Sequence, residues 1–122
     1  MEQKSKSIRP FIGASNFDLS RSFYRDWGFE ETILTPDMSV FKTNEIAFYL
    51  QDANVKDWID NSMIFLEVKD LDLYWKELLS LDLKVKYKTA KFTPVKVYDW
   101  GKECFVHDPS GILWHIGEFA NV

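Results

Sequence analysis

Laid against itself with a shift of 54 residues, the chain places Ile12 on Leu66, Ala14 on Val68, Asn16 on Asp70, Phe17 on Leu71 and Phe29 on Leu83. Identity between the halves is faint, but both predict the same order of elements, β-α-β-β-β. Repeated units that bury a shared face pack together. The expectation is therefore one α+β domain over the 122 residues, built from two tandem βαβββ modules at about 7–52 and 61–120. In the first, residues 8–14 read as a short strand that Pro10 confines to an edge or an end. Asn16 caps a helix in which Phe17, Phe23, Tyr24 and Trp27 recur near helical spacing, and Gly28 ends it. Strands follow at 30–34, 39–42 and 46–51, with Pro36-Asp37 and Thr43-Asn44 as turns. A polar connector, 52–60, leads to the second module.

The second module opens with a strand at 62–68 and a helix at 71–79 capped by Asp70. Leu71, Tyr74, Trp75, Leu78 and Leu79 fall at the spacing of one buried helical face. Strands are expected at 83–87, 104–107 and 113–119. Residues 88–98, interrupted by Pro94, read as a long loop or an irregular edge. The last two strands flank Asp108-Pro109-Ser110-Gly111, a tight turn in which proline presets φ and glycine closes the bend. Just ahead of them stands the pair Trp100-Gly101.

Composition narrows the partners. A net charge of −4 repels phosphate backbones, so nucleic acid is not expected, whereas a cationic small molecule is attracted. No stretch approaches the roughly 18 apolar residues of a membrane span. The single cysteine, Cys104, excludes an internal disulfide and fits a reducing compartment. The first residues are followed by no apolar run suited to a signal peptide, so a cytoplasmic location is expected. Ten Phe, five Tyr and five Trp are more rings than a domain this small hides completely, so some should line a cleft or an interface.

The groups that could do chemistry are few. His107 and His115 flank the turn and could approach across the hairpin, but read as structural rather than as a metal pair. Cys104 reads as a core thiol with no base near it in the pattern. Glu30-Glu31, Asp70 with Asp72, and Asp57 with Asp60 read as caps and solvated faces. There is no glycine-rich phosphate loop and no nucleophile elbow. Phe41, Phe48, Phe65 and Trp114 belong to core or groove according to strand register.

The run Phe17-Asp18-Leu19-Ser20-Arg21-Ser22-Phe23-Tyr24-Arg25-Asp26-Trp27-Gly28-Phe29, the segment 61–75 and the hairpin 99–115 resemble the glyoxalase/bleomycin-resistance/extradiol-dioxygenase superfamily. The resemblance spans residues 8–119. Pro10 and Trp100-Gly101 resemble its bleomycin-resistance branch. The resemblance implies curved mixed sheets whose concave faces open a groove. Enzymes of the superfamily hold a divalent ion at four positions, which fall here near Arg9, Tyr49, Met63 and His115. Arg9 is a permanent cation and Met63 a soft thioether, while Tyr49 would first have to lose its phenolic proton. Only His115 is an ordinary ligand, and one ligand makes no site.

No metal and no other cofactor is therefore expected. The implied function is that of a non-enzyme that sequesters a flat, cationic glycopeptide-type antibiotic. The alternative is a metal-dependent glyoxalase- or dioxygenase-like enzyme with an atypical site. By the same resemblance, Trp100 stacks on the ligand beside Gly101. Met38 and Ile33 stand where the branch offers a second aromatic surface. Phe41, Tyr49, Phe65 and His115 complete the expected lining. Asp99, with Glu31, Asp37 and Glu67, would meet a cationic tail. A homodimer is expected, its first strand exchanged between copies to build two shared clefts; Pro10 suits a strand that leaves its own module.

Overall fold

Both long helices start on a side-chain cap. Asn16 and Asp70 hold extended backbone, and their side chains accept the N–H of Leu19 and Leu73, each at 3.1 Å. The helices that follow are α1 (Phe17–Trp27) and, labelled in chain order, α3 (Leu71–Ser80). The computed structural model describes residues 1–120. Around α1 stand β1 (Phe11–Gly13), β2 (Glu30–Thr35), β3 (Met38–Lys42) and β4 (Ala47–Gln51). A short helix, α2 (Lys56–Asn61), connects to β5 (Met63–Glu67). After α3 come α4 (Leu83–Lys86), β6 (Lys91–Tyr98), β7 (Gly101–His107) and β8 (Leu113–Phe119).

The strands form two mixed sheets of the same design, β1-β4-β3-β2 and β5-β8-β7-β6. In each, the first strand of the module runs parallel to the last, and the remaining pairs are antiparallel. The fold is thus the α+β pair of βαβββ modules expected from the repeat.

Strand alternation decides which face of each sheet is buried. Phe41, Phe48 and Leu50 face inward from the first sheet, and Cys104, Val106, Trp114 and Ile116 from the second. The two inward faces meet in one core around α1. Trp114 packs against Phe48 at 5.1 Å, Trp27 at 5.0 Å and Tyr24 at 5.8 Å. At the expected turn, the buried Asp108 carboxylate takes the N–H groups of Ser110, Gly111 and Ile112 on Oδ1, each at 2.9 Å. Its Oδ2 accepts the Tyr24 hydroxyl at 2.6 Å, and Trp114 Nε1 donates to that same hydroxyl at 3.0 Å. One carboxylate thus ties the last hairpin to the first helix.

Several expectations need correction. Residues 83–86 form a helical turn, α4, rather than a strand. The sequence Leu-Lys-Val-Lys-Tyr satisfies both periods, but Leu83 and Tyr87 are buried together at i and i+4 while Val85 is 67% exposed. Of the two readings of 88–98, loop or irregular edge, the second holds: 91–98 form an edge strand that, among the described residues, pairs only with β7, and Pro94 sits in its bulge. The first strand is shorter than expected and pairs with β4 of its own module. Residues 1–10, which precede it, are exposed. Leu79 leaves the buried face of α3 and is exposed. The polar connector contains α2, whose Ile59 enters the core. Among the described residues no helix is long and apolar enough to cross a membrane.

Candidate ligand-binding face

The outward face of the second sheet carries a continuous run of rings. The strand register places Phe65, His115 and Phe105 side by side on it, with Gly101 opposite Phe119 and Glu103 opposite Gly117. Trp100, at the β6–β7 turn, stacks on Tyr98 at 5.6 Å with the planes 7° apart. It also meets Phe119 at 5.5 Å and Phe65 at 6.3 Å. Phe65 in turn lies nearly parallel to His115 at 6.5 Å, and His115 meets the edge of Phe105 at 5.1 Å. Phe65 and Trp100 are 46% and 38% exposed, so the run faces solvent. Lys96 Nζ lies 5.5 Å from the centroid of the Tyr98 ring.

Two glycines shape this face. Gly101 has a φ of +152°, and a Cβ there would collide with the Glu118 carbonyl, so only glycine lets the hairpin close against the end of β8. Ala120 N–H then donates to the Trp100 carbonyl at 2.9 Å, which anchors the tryptophan backbone. At Gly117 a Cβ would stand 2.5 Å from Phe65 Cζ; the Phe65 ring lies flat over bare backbone for that reason. In the middle of the rings, Glu103 is only 8% exposed, with Oε1 2.5 Å from His115 Nδ1. A carboxylate can only accept, so the imidazole proton sits on Nδ1.

Of the expected ligand residues, the structure gathers Trp100, Gly101, Phe65 and His115 here, with Asp99 exposed in the adjoining turn. Tyr49 and Met38 lie on the outward face of the other sheet, where Tyr49 stacks on Phe11 at 4.4 Å. Phe41 is fully buried against Phe48 and belongs to the core. Ile33 pairs with Ser39 and so falls on the side of the sheet away from Met38. Tyr98, Phe105, Phe119 and Glu103 were not foreseen. Starting β7 at Gly101 rather than at Cys104 would have exposed the alternation that sets Glu103 and Phe105 beside His115.

Glu31 is committed elsewhere. Its carboxylate accepts from Arg21 Nε, Arg25 Nη1 and Ser39 Oγ, each at 2.6 Å. Burial pushes its pKa up, but these donors together outweigh that and hold it at about 2, against an ordinary 4.5. A folded-state value below the unfolded one means the stabilisation is complete above about pH 4.5 and is lost as pH falls toward 2. Glu31→Gln is expected to flatten the acid limb of the stability curve over that window. It should cost at most about 3 kcal/mol at neutral pH, measured by urea unfolding across pH.

The four positions expected to hold a metal, Arg9, Tyr49, Met63 and His115, do not fit an ion. Arg9 Nη1 donates to the Tyr49 hydroxyl at 3.4 Å, which sets a fixed cation beside the would-be phenolate. Met63 offers only a thioether, which leaves His115 as the one ordinary ligand of the four, and one ligand makes no site. Cys104 is no nucleophile at neutral pH, since burial pushes its thiol up to about 12.

No family model and no curated protein matches the sequence. Solved structures do match. The bleomycin-binding protein of Streptomyces verticillus, solved with copper(II)-bleomycin, aligns over 94% of this chain and 97% of its own, with a TM-score of 0.79 and 24% identity. The bleomycin resistance determinant of transposon Tn5 aligns over 95% and 99%, at 0.78 and 14%. A lactoylglutathione lyase from Agrobacterium tumefaciens aligns over 95% and 96%, at 0.70 and 17%. The chain therefore has the paired-module fold that these bleomycin-binding proteins and the lactoylglutathione lyase share.

Proposed function

We propose that the protein binds and sequesters a flat, cationic antibiotic of the bleomycin type in the cytoplasm, with no bond made or broken. The observation that carries this reading is the run of rings from Tyr98 to Phe105, exposed on a sheet face that holds one buried carboxylate. Aromatic stacking is worth about 1–3 kcal/mol per ring, whereas an exposed ion pair is worth about 0–1 kcal/mol, so the rings supply most of the affinity. Similarity of fold to bleomycin-binding proteins supports the ligand class.

Two copies together would build the cleft. The outward faces of both sheets leave Phe11, Met63, Phe65, Trp100 and Phe119 exposed, and large apolar side chains grouped on an exposed face mark an association surface. A closed pair with two-fold symmetry covers both faces at once, and the exposed arm 1–10 is the segment free to cross between copies. Light scattering at micromolar concentration should return twice the chain mass of 14.4 kDa; the mass of a single chain would refute the shared cleft.

The test of the ring face is Trp100→Ala. Calorimetric titration with bleomycin should show a loss of about 1–3 kcal/mol, roughly five- to 150-fold in Kd, with thermal stability nearly unchanged because the ring is part-exposed. An alanine variant that binds bleomycin as tightly as the parent removes Trp100 from the site.

A further inference from the structure

We propose that Glu103 receives the positive charge of the ligand, so that this face selects flat aromatic cations over neutral molecules of the same shape. The inference rests on the ligand-binding reading above and deepens it. Glu103 is a buried acid on the ligand side of β7, and its only polar partner among the described residues is His115. Its cross-strand neighbours are Lys96 and Gly117. Lys96, the one nearby cation by register, has its Nζ over the Tyr98 ring instead, and no Lys or Arg nitrogen among the described residues lies within 4.0 Å of the Glu103 carboxylate. Gly117 adds no side chain on the other flank. A carboxylate offers about four acceptor positions, of which a single one is taken. Burying a charge without a full partner is costly, so an incoming cation is the natural complement.

The other acids do not compete. Glu31 is neutralised by two arginines, and Glu67 and Asp99 are open to water, where a charged contact is weak. Phe65 lies between Trp100 and His115, its ring centroid 6.3 Å from the first and 6.5 Å from the second, so the stacking rings and the carboxylate's partner share one face. His115 acts as a positioning residue: its Nδ1–H holds the carboxylate in place.

Proflavine and acridine provide the test, since they share one three-ring plane and, at mildly alkaline pH, the first is a cation and the second neutral. Fluorescence titration of the full chain should show proflavine bound roughly tenfold or more tightly than acridine, the ratio expected of a charge-assisted hydrogen bond. Glu103→Gln, which can still accept from His115, should abolish that preference. Glu103→Asp should keep part of the preference. A Glu103→Gln protein that still prefers the cation overturns the assignment while leaving the ring face intact. A parent that binds neither dye nor bleomycin rejects the ligand-binding reading itself, and this inference with it.

Discussion

Replacing Trp114 by alanine is expected to destabilise the fold by about 3–5 kcal/mol, read as a shift of the urea midpoint. Trp114 is 1% exposed and packs on Tyr24, Trp27, Phe29 and Phe48, so it joins the inward face of the second sheet to the helix and sheet of the first. Its removal leaves a cavity between two faces that β-ladders on either side hold apart, which limits relaxation. It also takes away the indole N–H that donates to the Tyr24 hydroxyl. Trp114→Phe keeps most of the volume and should lose about half as much. A loss below about 1 kcal/mol for the alanine variant would mean that the two modules are held together elsewhere.

A loss of similar size is expected for Asp108→Ala. This substitution strips the acceptor from three backbone N–H groups and from the buried Tyr24 hydroxyl. Each buried donor left without a partner costs about 1–3 kcal/mol; because Gly111 N–H also donates to the Asp108 backbone carbonyl at 3.0 Å, which alanine keeps, the total should be about 3–5 kcal/mol. Asp108→Asn retains an oxygen acceptor for the turn and should lose less. Burial pushes the Asp108 pKa up against the pull of its four donors, which marks how strongly the site depends on them. Thermal unfolding of the two variants side by side separates the loss of hydrogen bonds from the loss of charge.

The parts of the fold legible in the sequence are those with a local physical cause. Asn16 and Asp70 announce their helices because capping is a property of a few adjacent residues. The Asp-Pro-Ser-Gly turn announces its hairpin for the same reason. What misled was a short segment with two valid periods: Leu83 to Tyr87 alternates like a strand, yet only the burial of Leu83 with Tyr87 against α1 and the second sheet decides for a helical turn. Among candidate site residues, Trp100 was legible through its glycine neighbour, whose missing Cβ the hairpin demands. Phe41 and Phe65 could not be sorted, because alternation says that two residues share a face but not which face the helices cover. Glu103 was hidden because it stands beside the expected strand start, and its importance depends on His115, twelve residues on in sequence and adjacent only across the ladder.

Sequestration is tested by mixing a fixed amount of bleomycin with increasing protein, then measuring free and total intact drug by chromatography. Free drug should fall linearly to zero at about one chain per drug molecule, denaturing the protein should return all of it intact, and neither result should change with incubation time. Drug that disappears with time at substoichiometric protein would show an enzyme, and free drug that stays constant at every ratio would show that this face binds something else.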